Sequence, residues 1–291
     1  MSGRAPRPDR RRLLLQLALV AEASVAAALL HRASATTRPG LAAVSAPVPD
    51  AAPSSLVVGD GRTVHLLGLG GTSTEGLLRR IAAEIGAAVD AVVAFWGADW
   101  QRDVIIVAAG SEIEFRQLTR GPAGWVDVAA AAVADRVDPV HRSAAGQRVV
   151  FSPGAAAMSD YALRIVVRHE LFHFASRADT ALDAPRWLTE GVADYVGRPA
   201  TPRPGAASAA SLAVLPTEAD FATSGDALTL AYDRAWWFAR FIAETRGPAT
   251  LRALYWRAGG AGHPDVGSAL TEVLGADEPE LMAGLRRWLA T

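Results

Sequence analysis

Apolar residues recur every three to four positions from Leu78 through Ile81, Ile85, Val89 and Val92 to Trp96, which predicts one long amphipathic helix. Thr72 and Glu75 stand at its head in the order of a capping box. Upstream, the Gly59-Asp60-Gly61 turn precedes a short strand over Thr63–Leu67. Downstream, Asp103–Ala108 is rich in Val and Ile and reads as a strand, and Ser111 with Glu114 caps a short helix. Val126–Ala134 and Arg148–Phe151 read as further strands. From Met158 onward the pattern is almost wholly helical, broken by Pro/Gly-rich loops at Gly197–Gly205 and Gly259–Pro264. The expected fold class is α+β, a small mixed sheet with helices followed by a mainly helical half. Gly68-Leu69-Gly70-Gly71 sits where a dinucleotide fingerprint would lie, but Ser73 replaces its third glycine. No second strand carrying a ribose-binding acid follows at the right distance, so the segment reads as a glycine-tolerant loop.

The first 35 residues follow a different logic. Arg4, Arg7, Arg10, Arg11 and Arg12 precede an apolar run from Leu13 to Leu30, and Ala33-Ser34-Ala35 offers a small-residue cleavage pattern. That is the layout of a secretory signal peptide, with Arg10-Arg11 also compatible with twin-arginine export. The alternative is an uncleaved membrane anchor over residues 13–30, against which Glu22 would cost about 2.5–3.5 kcal/mol near the bilayer centre. Both readings put the body outside the cytoplasm, secreted or membrane-associated. Residues 36–55, rich in Pro, Ala and Ser, read as a flexible linker ahead of one domain over 56–291, with a sheet part to about 157 and a helical part beyond.

Composition narrows the chemistry. The chain of 291 residues has 29 basic and 30 acidic side chains, so no basic field favours nucleic acid. It has no Cys, which removes thiol nucleophiles, Cys-ligated zinc, Fe–S clusters and disulfides. It also has no Lys and no Asn, so Schiff-base or P-loop lysines and N-glycosylation are excluded. A metal site made of His and carboxylate survives all of these exclusions.

Residues 169–173 read His-Glu-Leu-Phe-His, the HExxH pattern. Ser159 can cap a helix that runs without Pro or Gly beyond His173. On a helix, positions i and i+4 share a face, so His169 and His173 can bind one Zn²⁺. Glu170 stands beside them, placed to take a proton from a zinc-activated water.

Residues 187–195 read Trp-Leu-Thr-Glu-Gly-Val-Ala-Asp-Tyr. HExxH followed by W-L-x-E-G-x-A-x-Y resembles the gluzincins, the thermolysin-like zinc peptidases, and especially the peptidase MA-like family. The resemblance implies Glu190 as third zinc ligand and a zinc cleft between sheet and helical half. It further implies that Asp194 hydrogen-bonds His169, and that Tyr232 stabilises the oxyanion. A metzincin-like pattern would instead take Asp179 as third ligand, but Ser176 stands where its glycine should be and a Met-turn is lacking. The family's aminopeptidases anchor a free amino terminus through a G-x-M-x-N segment, which a chain without Asn lacks as written. The expectation is therefore an endopeptidase acting on peptides or proteins, with Arg148–Phe151 as the edge strand an extended substrate would pair with. The alternative is a zinc-binding or scaffold domain of the cell envelope with a vestigial site. Trp236, Trp237 and Phe241 read as core, and His141 as a surface histidine in an Arg-flanked loop.

Overall fold

The computed structural model describes residues 54–120 and 128–291. The signal or anchor segment and most of the linker lie outside the described residues, as do Val126 and Asp127. Strand β1 (Ser54–Val58) and strand β2 (Arg62–Gly68) form a hairpin around Gly61, whose φ of 83° needs a residue without Cβ. Ser54 and Ser55, expected in the linker, therefore already belong to the sheet. Helix α1 (Thr72–Trp96) carries β2 over to strand β3 (Asp103–Ala108), its parallel neighbour. All six residues of the expected stripe on α1 are buried. Its cap differs from expectation. Gly71 is the N-cap without a side-chain bond, and the Ser73 and Thr74 hydroxyls donate back to the carbonyls of Gly70 and Gly71. Both hydroxyls donate to carbonyls, so neither satisfies a backbone N–H of the first turn, and the capping box expected from Thr72 and Glu75 is not formed.

After β3 comes helix α2 (Glu112–Thr119), capped by Ser111 as its sequence indicates. Strand β4 (Ala130–Val133) is shorter than the expected strand, and Ala134 lies beyond its end. A separate two-stranded hairpin follows, β5 (Arg136–Asp138) and β6 (Ser143–Ala145), with no strong alternation to announce it. Strand β7 (Arg148–Phe151) returns to the main sheet, whose order is β1-β2-β3-β7-β4. β7 is parallel to β3 and antiparallel to β4, so both its sides are occupied. The expectation of a substrate-pairing edge at Arg148–Phe151 is thereby overturned: β4 holds the edge position on that side.

The helical half comprises α3 (Asp160–Ser176), α4 (Arg186–Gly197), α5 (Ala206–Leu212), α6 (Glu218–Phe221), α7 (Gly225–Arg246), α8 (Pro248–Gly259), α9 (Val266–Leu274) and α10 (Glu278–Ala290). The protein is thus α+β, with a mixed sheet and then a mostly helical half. Its main core joins one sheet face to α1, α3 and the later helices. A smaller cluster built from Val107, Phe115, Val128, Ala131 and Val150 lies apart from it, beneath α2. Aromatic rings tie α1 to α3 and to α8: Trp96 meets Phe172 edge-on at 5.6 Å and stacks on Trp256 at 5.0 Å. Trp236, Trp237 and Phe241 are buried, as expected of core residues. No helix among the described residues is long and apolar enough to cross a membrane.

Candidate metal centre

Helix α3 starts where the Ser159 hydroxyl accepts from the Ala162 N–H at 3.2 Å. Its apolar residues face several neighbours at once, with α1, α4 and β4 packed around it, so the polar residues it carries are buried too. His169, Glu170 and His173 are among them. After a short 3₁₀ turn at Arg177–Asp179 the chain loops into α4, which returns against α3. Two glycines set how closely α4 can pack. A Cβ on Gly197 would stand 3.0 Å from the Ile165 carbonyl oxygen and 3.3 Å from the backbone nitrogen of His169. A Cβ on Gly191 would stand 2.5 Å from the Ala235 carbonyl oxygen of α7. Gly191→Ala is therefore expected to force α4 from α7 and cost about 1–3 kcal/mol, measured as a lowered unfolding midpoint. An unchanged midpoint would show that the two helices are not held this close.

The close approach brings Glu190 to the two histidines. His169 Nε2 and His173 Nε2 are 3.1 Å apart, and Glu190 Oε2 lies 3.4 and 3.5 Å from them. Ligand bonds of about 2.0–2.1 Å at tetrahedral angles would separate donor atoms by about 3.3 Å. Glu190 Oε2 is buried and accepts no hydrogen bond. A carboxylate oxygen left without a donor, aimed at two imidazole nitrogens, costs free energy unless a cation occupies the gap. His169, His173 and Glu190 thus form a buried group that can hold a metal ion.

The tautomer follows from the neighbours. Asp194 Oδ1 lies 2.9 Å from His169 Nδ1, and a carboxylate can only accept, so the ring donates from Nδ1 and directs Nε2 toward the site. Burial works against the His169 cation, but the Asp194 and Glu190 carboxylates beside it outweigh that and raise the ring to about 10, so a metal ion taking Nε2 would release a proton. Burial lowers His173. Burial alone would raise Glu190, but the charges of the two histidine rings beside it hold it well below the usual carboxylate range.

Glu170 points toward the sheet edge. Its Oε2 accepts from the Ala132 N–H of β4 at 2.6 Å, while Oε1 is buried without a hydrogen-bond partner. Burial pushes Glu170 up to about 8, with the His169 charge opposing; a cation held by the neighbouring residues would oppose it further and favour the carboxylate that can accept a proton. Arg177 donates to the Ala132 carbonyl at 2.7 Å, so both outward-facing groups of Ala132 are engaged by residues of this site.

A cleft opens beside the ligands, lined by His173, Glu190, Arg177, Thr189, Val137 of the β5–β6 hairpin and Tyr255 of α8. Tyr232 is not among the described residues of its wall; it is buried in α7, edge-on to Phe221 at 5.3 Å. Tyr255 had no signal in the sequence, being one aromatic among many on an apolar helix face. Its hydroxyl is 2.9 Å from Thr180 Oγ1 and donates to Ser176 Oγ at 3.3 Å. Asp179 turns away from the ligands and accepts from Arg142 Nε at 2.6 Å. His141 is exposed in the hairpin turn beside Asp138. Neither a protein-family model nor a curated protein matches this chain.

Proposed function

We propose that the chain is a zinc-dependent peptidase of gluzincin type that hydrolyses internal bonds of peptides or proteins outside the cytoplasm. The observation that carries this reading is the convergence of His169 Nε2, His173 Nε2 and the donorless Glu190 Oε2 beside a carboxylate with one oxygen unengaged. Two imidazoles and a carboxylate are the donor set of hydrolytic zinc centres, in which the ion acidifies water and polarises a carbonyl.

The chain's own residues supply the rest. Ala132 fixes one oxygen of Glu170, which holds the other ready to accept a proton from water and return it to the leaving amine. Asp194 keeps the His169 ring in the tautomer that serves as ligand. Tyr255, on the cleft wall, would turn its hydroxyl hydrogen from Ser176 toward developing negative charge. An active-site glutamate serves hydrolysis, whereas a site that merely bound metal for structure would have no use for one. Elemental analysis after dialysis against zinc, with a peptide digest of the same sample, tests the reading directly.

The donor role is separable from the metal role. Tyr255→Phe is expected to leave metal content and fold intact and to slow hydrolysis by about 10²-fold, as loss of one oxyanion donor does. Tyr232→Phe, the residue indicated by family resemblance, is the paired measurement. If Tyr232→Phe slows hydrolysis and Tyr255→Phe does not, the donor is Tyr232.

A further inference from the structure

Asp194 uses one oxygen on His169; its other oxygen, Oδ2, forms an ion pair with Nη2 of Arg198 at 2.5 Å without hydrogen-bond geometry. Arg198 lies just past the end of α4, where its backbone N–H donates to the Asp194 carbonyl at 2.8 Å. Its second guanidinium arm donates to Asp233 Oδ1 of α7 at 2.9 Å. The guanidinium plane stands over the Trp236 ring, 5.1 Å from the centroid. The side chain is only 6% exposed, so the fork has no solvent to turn into. A chain of contacts therefore runs from the metal ligand through two carboxylates and one guanidinium to a third helix.

We propose that Arg198 is a positioning residue for the metal centre: held by Asp233, it clamps Asp194 in the orientation that fixes the His169 ring. The proposal rests on the reading of His169, His173 and Glu190 as a metal site. Three physical points carry it. A carboxylate whose second oxygen faces solvent can rotate about its last bond, whereas one whose second oxygen is ion-paired with a buried guanidinium loses that pairing when it turns. A planar guanidinium with two donor arms can hold two carboxylates in a fixed relation, which a single ammonium cannot. Burying such charges costs more than burying an apolar pair of the same volume, so the gain from this arrangement lies in orientation rather than in stability.

The test is a double-mutant cycle on zinc affinity, measured by competition with a chromogenic chelator. Arg198→Gln is expected to weaken zinc binding by about tenfold, the lower end of the range for residues behind a metal ligand. In an Asp194→Asn background the same change should alter affinity by less than about twofold, because Arg198 then has nothing to transmit. Cobalt-loaded Arg198→Gln should also show an altered visible absorption spectrum, which a purely structural ion pair would leave as it was. Asp233→Asn loosens the clamp from α7 without touching Asp194, and it takes the place of Arg198→Gln in the cycle should that variant fail to fold. Equal losses in both backgrounds, or unchanged affinity and spectrum in a folded variant, overturn the clamp while leaving the metal site standing. A wild-type chain that takes up no metal overturns the site and the clamp together.

Discussion

Glu190→Gln is expected to purify with less than about a tenth of the zinc held by the wild-type chain. The carboxylate is the single anionic ligand among the three, and its buried oxygen makes no hydrogen bond that an amide would preserve. Two neutral imidazoles alone leave the ion's charge uncompensated in a buried site, where charge imbalance is most costly. The thermal shift should follow. Zinc at about a hundred times its dissociation constant should stabilise the wild-type fold by about 2.7 kcal/mol and the variant hardly at all. Asp179→Asn is the matched control, since Asp179 is bound to Arg142 rather than directed at the histidines. If Asp179→Asn empties the site while Glu190→Gln leaves it filled, the metzincin-like ligand set is correct.

Glu170→Gln should behave in the opposite way. The amide keeps the length of the side chain, and its oxygen can still accept from the Ala132 N–H. It cannot take a proton from water. Zinc content should therefore match the wild type, while hydrolysis falls by about 10²-fold or more. Because the variant differs in the base and not in the ligands, folding or metal loss would not account for the fall. Full activity with a full complement of zinc would remove Glu170 from the reaction.

How much of this was legible in the sequence depended on the range of the interactions. The stripe on α1 and the Ser159 cap of α3 are set by neighbours within a few residues, and both are found as expected. The two histidines are fixed by helical periodicity alone. Glu190 needed the second motif, because its approach depends on Gly191 and Gly197 letting three helices close together, and no local rule encodes that. The edge strand was misjudged for the same reason. Arg148–Phe151 reads as a strand, but whether a strand is internal depends on what pairs with its far side, here the alanine-rich β4. Arg198 and Tyr255 carried no signal, since an arginine after a helix and a tyrosine within one are ordinary until the fold shows what they touch.

The most direct measurement of the central claim is a peptide-library digest by the chain loaded with about one zinc per molecule, followed by chelation and reloading. Cleavage at internal bonds should appear with the metal, cease when the chelator removes it and return when zinc is restored. A folded chain that holds one zinc yet cleaves nothing in the library, before or after reloading, would contradict the assignment and leave a zinc-binding domain without hydrolytic function.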